Sequence, residues 1–84
     1  MSYEIKFVGT HQEKTASAML AVEEYLGSDM ARLDRFIEVV ITRSRSPKAL
    51  YKACRMFCAC NGISGYYPVR AVAGYAISKL KAVH

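Results

Sequence analysis

Apolar and polar side chains alternate at the start of the chain. Over residues 3–8, the apolar residues Tyr3, Ile5 and Phe7 alternate with Glu4 and Lys6, and Val8 follows. This period of two is typical of a strand with one buried face. The sequence therefore predicts a strand over Tyr3–Val8 that Gly9 ends.

Helical spacing follows this alternation. Thr10 and Glu13 have the S/T-x-x-E spacing of a capping box, in which hydroxyl and carboxylate each accept a backbone N–H. The sequence predicts a helix that begins at about His11 and ends at Gly27, where a C-terminal cap belongs. Apolar positions recur along it at three- and four-residue steps, at Ala18, Met19, Val22, Tyr25 and Leu26.

Residues 29–43 fit two structures. A helix capped by Ser28 would place one apolar stripe on a single face, formed by Met30, Leu33, Ile37, Val40 and Ile41. A strand is favoured by Phe36–Thr42, where six of seven residues prefer a pleated surface. We favour the strand, because Tyr3–Val8 needs a hydrogen-bonding partner and no other segment offers one. The strand-helix-strand order then predicts a right-handed parallel crossover.

The second half of the chain predicts two further helices. Ser46 is the expected cap of a helix over Pro47–Cys60, which Gly62 ends. Ile63–Tyr67 is predicted to be a loop, and Pro68 to open a last helix that runs to about residue 83. The expected fold is a single α+β domain over residues 1–84, β-α-β followed by two C-terminal helices. A mostly α-helical bundle is the alternative.

Length and composition limit the kind of protein. A chain of 84 residues that is 52% hydrophobic suits one domain of modest stability, and a homodimer would supplement its core. No stretch approaches the ~20 apolar residues needed to span a bilayer. The first residues lack the pattern of a secretory signal, and three cysteines within seven residues suit reduced thiols. We expect a soluble cytoplasmic protein with no membrane partner.

Charge divides the chain into two parts. The 46 residues after Glu38 carry eight Lys or Arg side chains and no Asp or Glu, whereas all seven carboxylates precede them. Such a field attracts anions to one region. The densest part of it comprises Arg43, Arg45, Lys48, Lys52 and Arg55. Together with the helix N-terminus and the hydroxyls of Ser44 and Ser46, these cations are expected to bind phosphate.

Aromatic side chains add to the candidate site. Tyr66 and Tyr67 lie in the cationic half near Arg70, and tyrosines that project from a loop can stack on unpaired bases. The alternative is that their rings pack on the core and leave only the hydroxyls in water. Likewise, the basic cluster has a structural alternative, a solvated helix face that keeps the protein soluble. That alternative explains less well the absence of carboxylates over so long a segment.

Catalytic, metal and cofactor sites are not indicated. Cys54, Cys58 and Cys60 lack the second ligand pair of a zinc site, and they are better explained as small buried hydrophobes. His11 and His84 are the only histidines, and neither has an obvious second titrating group for acid-base catalysis. A His11-centred nuclease that holds phosphate with Arg43 or Lys48 would depend on the parallel strand pair, and it is disfavoured because no second titrating group is placed.

The expected function is non-catalytic binding of the nucleic-acid phosphate backbone, with no cofactor. The alternative is a protein-interaction module or inhibitor that docks on an acidic surface of a larger complex. The expected binding residues are Arg43, Arg45, Lys48, Lys52, Arg55, Tyr66, Tyr67 and Arg70.

Overall fold

All regular structure between residues 9 and 82, the range that the computed structural model describes, is helical. The helices are His11–Leu26 (α1), Met30–Arg43 (α2), Pro47–Cys60 (α3) and Tyr66–Ala82 (α4), with a 3-10 turn at Gly27–Asp29. Within this range, no helix combines the length and apolar character that a membrane crossing requires.

The predicted limits of α1 are confirmed. The Glu13 N–H donates to the Thr10 hydroxyl, and the Thr10 N–H donates to the Glu13 carboxylate. The donor-to-acceptor distance is 3.2 Å in both bonds. Hydrogen bonding of the Glu13 carboxylate to the Thr10 backbone N–H, and to a smaller extent to the Thr10 side chain, lowers the pKa of Glu13. At the other end Gly27 has a φ of 53° and donates its N–H to the Glu23 carbonyl. A positive φ of this kind favours glycine.

The predicted α+β fold is wrong, because Phe36–Thr42 lies within α2 and is not a strand. Leu33 and Ile37 are fully buried, whereas Arg35, which a strand would place on the same face, is exposed. Burial of this stripe outweighs the preference of β-branched residues for strands. Tyr3–Val8 lies outside the described residues. The crossover, and with it the placing of His11 beside Arg43, loses its basis.

The start of α2 also differs from the helical alternative. Ser28 lies in the 3-10 turn, and Asp29 is the residue that precedes the first turn of α2. Neither residue makes a side-chain hydrogen bond that caps the helix. The chain therefore passes from α1 to α2 through the 3-10 turn, without the predicted serine cap.

The limits of α3 match the prediction, and those of α4 differ at the start. Ser46 caps α3 by accepting the N–H of Ala49. Tyr66 and Tyr67, which were expected in a loop, form the first turn of α4. Pro68 is tolerated as the third residue of that helix, because the first N–H groups of a helix have no intrahelical acceptor.

The core forms around α4, which packs against both α1 and α3. Its buried side chains are Ala71, Val72, Ala73, Ala76 and Leu80. They meet a buried stripe of α3 formed by Leu50, Cys54, Phe57 and Cys58. The core is completed by Leu33 and Ile37 of α2, Val22 and Leu26 of α1, and Ile63. Val69 of α4 is half-buried and packs against this core.

Polar contacts join helices that share little core. The Tyr75 hydroxyl of α4 donates to the carboxylate of Asp34 in α2. The ammonium of Lys79 lies 3.4 Å from the same oxygen. Desolvation, followed by the hydrogen bond to Asp34, raises the pKa of Tyr75. At the end of α1, the Tyr25 hydroxyl donates to the carbonyl of Asn61 over 3.0 Å.

Two alanine substitutions in α2 test its helical structure. Ile37 is fully buried and Val39 is 48% exposed. Ile37→Ala should lower the free energy of unfolding by about 2–5 kcal/mol, whereas Val39→Ala should change it by less than about 0.5 kcal/mol. Urea unfolding followed by circular dichroism measures both. In a strand Ile37 and Val39 would share one face. A similarly large loss in the free energy of unfolding for both variants would therefore contradict the helix.

Candidate functional site

The five predicted cations are all exposed, and we call them together the basic surface: Arg43, Arg45, Lys48, Lys52 and Arg55. Arg43 ends α2, Arg45 lies in the link, and the other three belong to α3. Spacings of four and three residues place those three side chains on one face of the helix. That face is opposite the buried stripe of α3, so the charges point into solvent.

No carboxylate of the described residues neutralises the basic surface. The ion pairs in this range are Arg32 with Asp29 and Lys79 with Asp34. All carboxylates between residues 9 and 82 belong to α1, α2 or the 3-10 turn between them. The basic surface is thus a region of positive potential that can attract an anionic partner.

The N-terminus of α3 adds less to phosphate binding than expected. Pro47 has no N–H, and the N–H of Ala49 donates to the Ser46 hydroxyl over 3.3 Å. The Leu50 N–H donates to the Ser46 carbonyl, and the Ser46 N–H donates to the Ser44 hydroxyl. Most hydrogen-bonding groups at this helix end are therefore occupied. Any anion at the basic surface would be held chiefly by side-chain charge.

The two tyrosines of the candidate site have different surroundings. Tyr66 is 60% exposed, and the guanidinium of Arg70 lies 5.2 Å from the centre of its ring. Tyr67 is half-buried. Its hydroxyl is hydrogen-bonded to Nδ1 of His11 at a distance of 3.1 Å, and the Lys14 ammonium lies above its ring. Tyr66 offers a surface on which a ligand could stack, whereas Tyr67 joins α4 to the start of α1.

The structure separates the aromatic residues from most of the basic surface. Tyr66 follows the C-terminal end of α3, whereas Arg43, Arg45 and Lys48 lie at its N-terminal end. A helix of 14 residues is about 20 Å long. A ligand that contacts both must therefore extend along α3.

A surface groove lies between α1 and α4, and the sequence does not predict it. Its volume is about 650 Å³. The residues that line it are His11, Gln12, Thr15, Ala16 and Met19 of α1 with Tyr66, Arg70, Ala71, Gly74, Tyr75 and Ser78 of α4. We call it the α1–α4 groove. Among the described residues that line it there is no carboxylate, and Arg70 is the only Lys or Arg side chain.

Gly74 explains why the sequence did not reveal the groove. Of the small residues of α4, Ala71, Ala73 and Ala76 are buried within the chain. Gly74 is instead exposed, and a Cβ atom built there would have no neighbour within 4 Å. Only the relative positions of α1 and α4 place it in a groove. Packing within the described chain does not require a glycine at this position.

Comparison with protein-family models, with curated proteins and with solved structures finds no match. Among residues 9–82, no group of three or more His, Cys, Asp or Glu side chains could hold a metal ion.

The cysteines divide into two classes. Cys54 and Cys58 are buried, as expected of small hydrophobes, whereas Cys60 is exposed, contrary to that expectation. Burial raises the pKa of Cys54 and of Cys58 to about 11, and the proximity of Cys58 contributes to the shift at Cys54. Since the thiolate is the nucleophile, neither buried thiol is activated near neutral pH.

Thiol titration tests this division. At pH 8 the folded protein should react rapidly with one equivalent of an aromatic disulfide reagent, at Cys60, and the other two thiols should react only after denaturation. The raised pKa predicts that Cys54 and Cys58 stay protonated as the pH rises toward about 11. Cys60→Ser is the control and should remove the rapid phase. Rapid reaction of two or more thiols in the folded protein would contradict the burial.

Proposed function

We propose that this protein binds the phosphate backbone of nucleic acid through the basic surface and carries out no catalysis. The supporting observation is that all five cations are exposed and that none is paired with a carboxylate of the described residues. Binding is driven by release of counterions from the nucleic acid, so affinity falls steeply as salt rises. Phosphate contacts of this kind do not read the base sequence.

The arrangement favours a ligand that follows α3. Lys48, Lys52 and Arg55 follow one line along the helix, and the guanidinium groups of arginine suit two-point contact with phosphate. A strand that continues past the end of α3 reaches Tyr66 and Arg70. There an unpaired base can stack on the exposed tyrosine ring. Single-stranded nucleic acid therefore gains a contact that a duplex does not.

A second candidate function is docking of the basic surface on an acidic protein. Met56 is 67% exposed and directly follows Arg55 on α3. An exposed apolar side chain beside arginine can serve as an anchor in a protein interface. Capture of one protein in defined stoichiometry, unchanged by nuclease treatment, would favour this function over nucleic-acid binding.

Charge reversal on α3 tests the nucleic-acid proposal. Lys52→Glu with Arg55→Glu removes two cations three residues apart and should weaken binding to labelled single-stranded DNA and RNA. The salt dependence should also weaken, which is measured on duplex DNA as the slope of the logarithm of the binding constant against the logarithm of salt concentration. If each side chain contacts one phosphate, this slope should become shallower by about two units, because each phosphate contact contributes about 0.9. Fluorescence anisotropy at several salt concentrations measures both effects.

The matched control lies on α2. Arg32→Glu with Arg35→Glu has the same spacing and changes the net charge equally, but it lies outside the basic surface. Arg32 makes one exposed ion pair of 3.7 Å with Asp29 and donates one exposed hydrogen bond to Asn61, so its loss should cost little stability. The proposal expects the control to keep most of the affinity. Equal loss in both variants, or no binding by the unaltered protein at low salt, would contradict it.

A further inference from the structure

The α1–α4 groove and an exposed row on α1 have complementary shapes and charges. Along α4, Arg70, Gly74 and Ser78 line the groove at four-residue intervals, and all three are exposed. Gly74 leaves a gap in the middle of this row. At one end of the row, Arg70 has no carboxylate of the described residues within ion-pairing distance.

The row on α1 consists of Ala16, Leu20 and Glu24, also at four-residue intervals. It has a large apolar side chain where the α4 row has a gap, and a carboxylate where the α4 row has a cation. Leu20, at its centre, is 67% exposed. Glu24, one turn further, is exposed and makes no ion pair with the described residues. Ala16, one turn earlier, is small and belongs to the groove wall. Rows at four-residue intervals are the ridges by which helices interlock.

We propose that the α1–α4 groove is the interface through which two copies of this chain associate. When α1 of a second copy runs antiparallel to α4, its Leu20 fills the gap at Gly74, and its Glu24 reaches Arg70. Each step of four residues covers about 6 Å on both helices, so the two contacts form together. Because each copy carries both the row and the groove, a two-fold axis repeats the contacts.

A second copy of the chain is proposed to fill the groove because its Leu20 and Glu24 match Gly74 and Arg70 in size and charge. An exposed leucine loses contact with water when it enters the gap at Gly74, which favours association. Pairing of Glu24 with Arg70 fixes the register and excludes partners of the wrong charge. A chain this short buries a limited share of its surface alone, so additional burial between copies stabilises it.

Sedimentation equilibrium over micromolar to millimolar protein tests the proposal. The mass should rise with concentration from the 9.4 kDa of one chain to twice that value. Leu20→Asp should raise the dimer dissociation constant by at least about tenfold, as expected for an interface anchor. Met56→Asp is the matched control, because Met56 is also 67% exposed but lies on α3, and it should leave the dissociation constant unchanged.

Two further variants separate loss of the interface from loss of folding. Gly74→Leu fills the gap with a better helix former, so it should raise the melting temperature of the monomer while it weakens the dimer. Glu24→Arg and Arg70→Glu should each weaken association, and their combination should restore it. A mass of 9.4 kDa at every concentration would overturn the proposal. So would a dimer that Leu20→Asp leaves intact, or charge variants that fail to rescue each other.

Discussion

The packing of α4 against two other helices is the interaction on which the rest of this small structure depends. Its small buried residues, Ala71, Ala73 and Ala76, allow neighbouring helices to come close. Val72 and Leu80 supply apolar bulk to the same core. Close packing of this kind provides much of the stability of helices that are marginal alone. Its consequence is that α1 and α3 expose their outer faces on separate parts of the molecule.

Polar contacts then set the positions of the remaining segments. Asp34 of α2 accepts a hydrogen bond from Tyr75 and lies near Lys79, so α2 is held to α4 as well as to α3. The raised pKa of Tyr75 means that this hydroxyl stays protonated to higher pH in the folded protein than in the unfolded chain. Its contribution to stability is present below the unfolded pKa and is lost as the pH rises through the folded one.

Local signals in the sequence were sufficient for α1 and α3, and insufficient for α2. The caps at Thr10 and Ser46 depend on residues three positions apart, so spacing alone reveals them. The interval Phe36–Thr42 satisfies a strand preference locally, and only burial of Leu33 and Ile37 by other helices decides in favour of α2. The basic cations were found because exposed charge is visible in the sequence, whereas the groove at Gly74 depends on how α1 and α4 meet.

The basic surface and the α1–α4 groove use different helices and can therefore act together, but Tyr66 and Arg70 line the groove and would serve either the second copy or the nucleic acid. The cations of α3 point away from its buried stripe, and the groove lies where α4 meets α1. Association through the groove would leave α3 of each copy exposed and would join two basic surfaces in one particle. Under the two proposals, binding of the first surface to a polyanion would raise the effective concentration of the second, so overall affinity would exceed that of one chain. In this way the weak phosphate contacts of one short helix would become sufficient for stable binding of a polyanion when two copies act together.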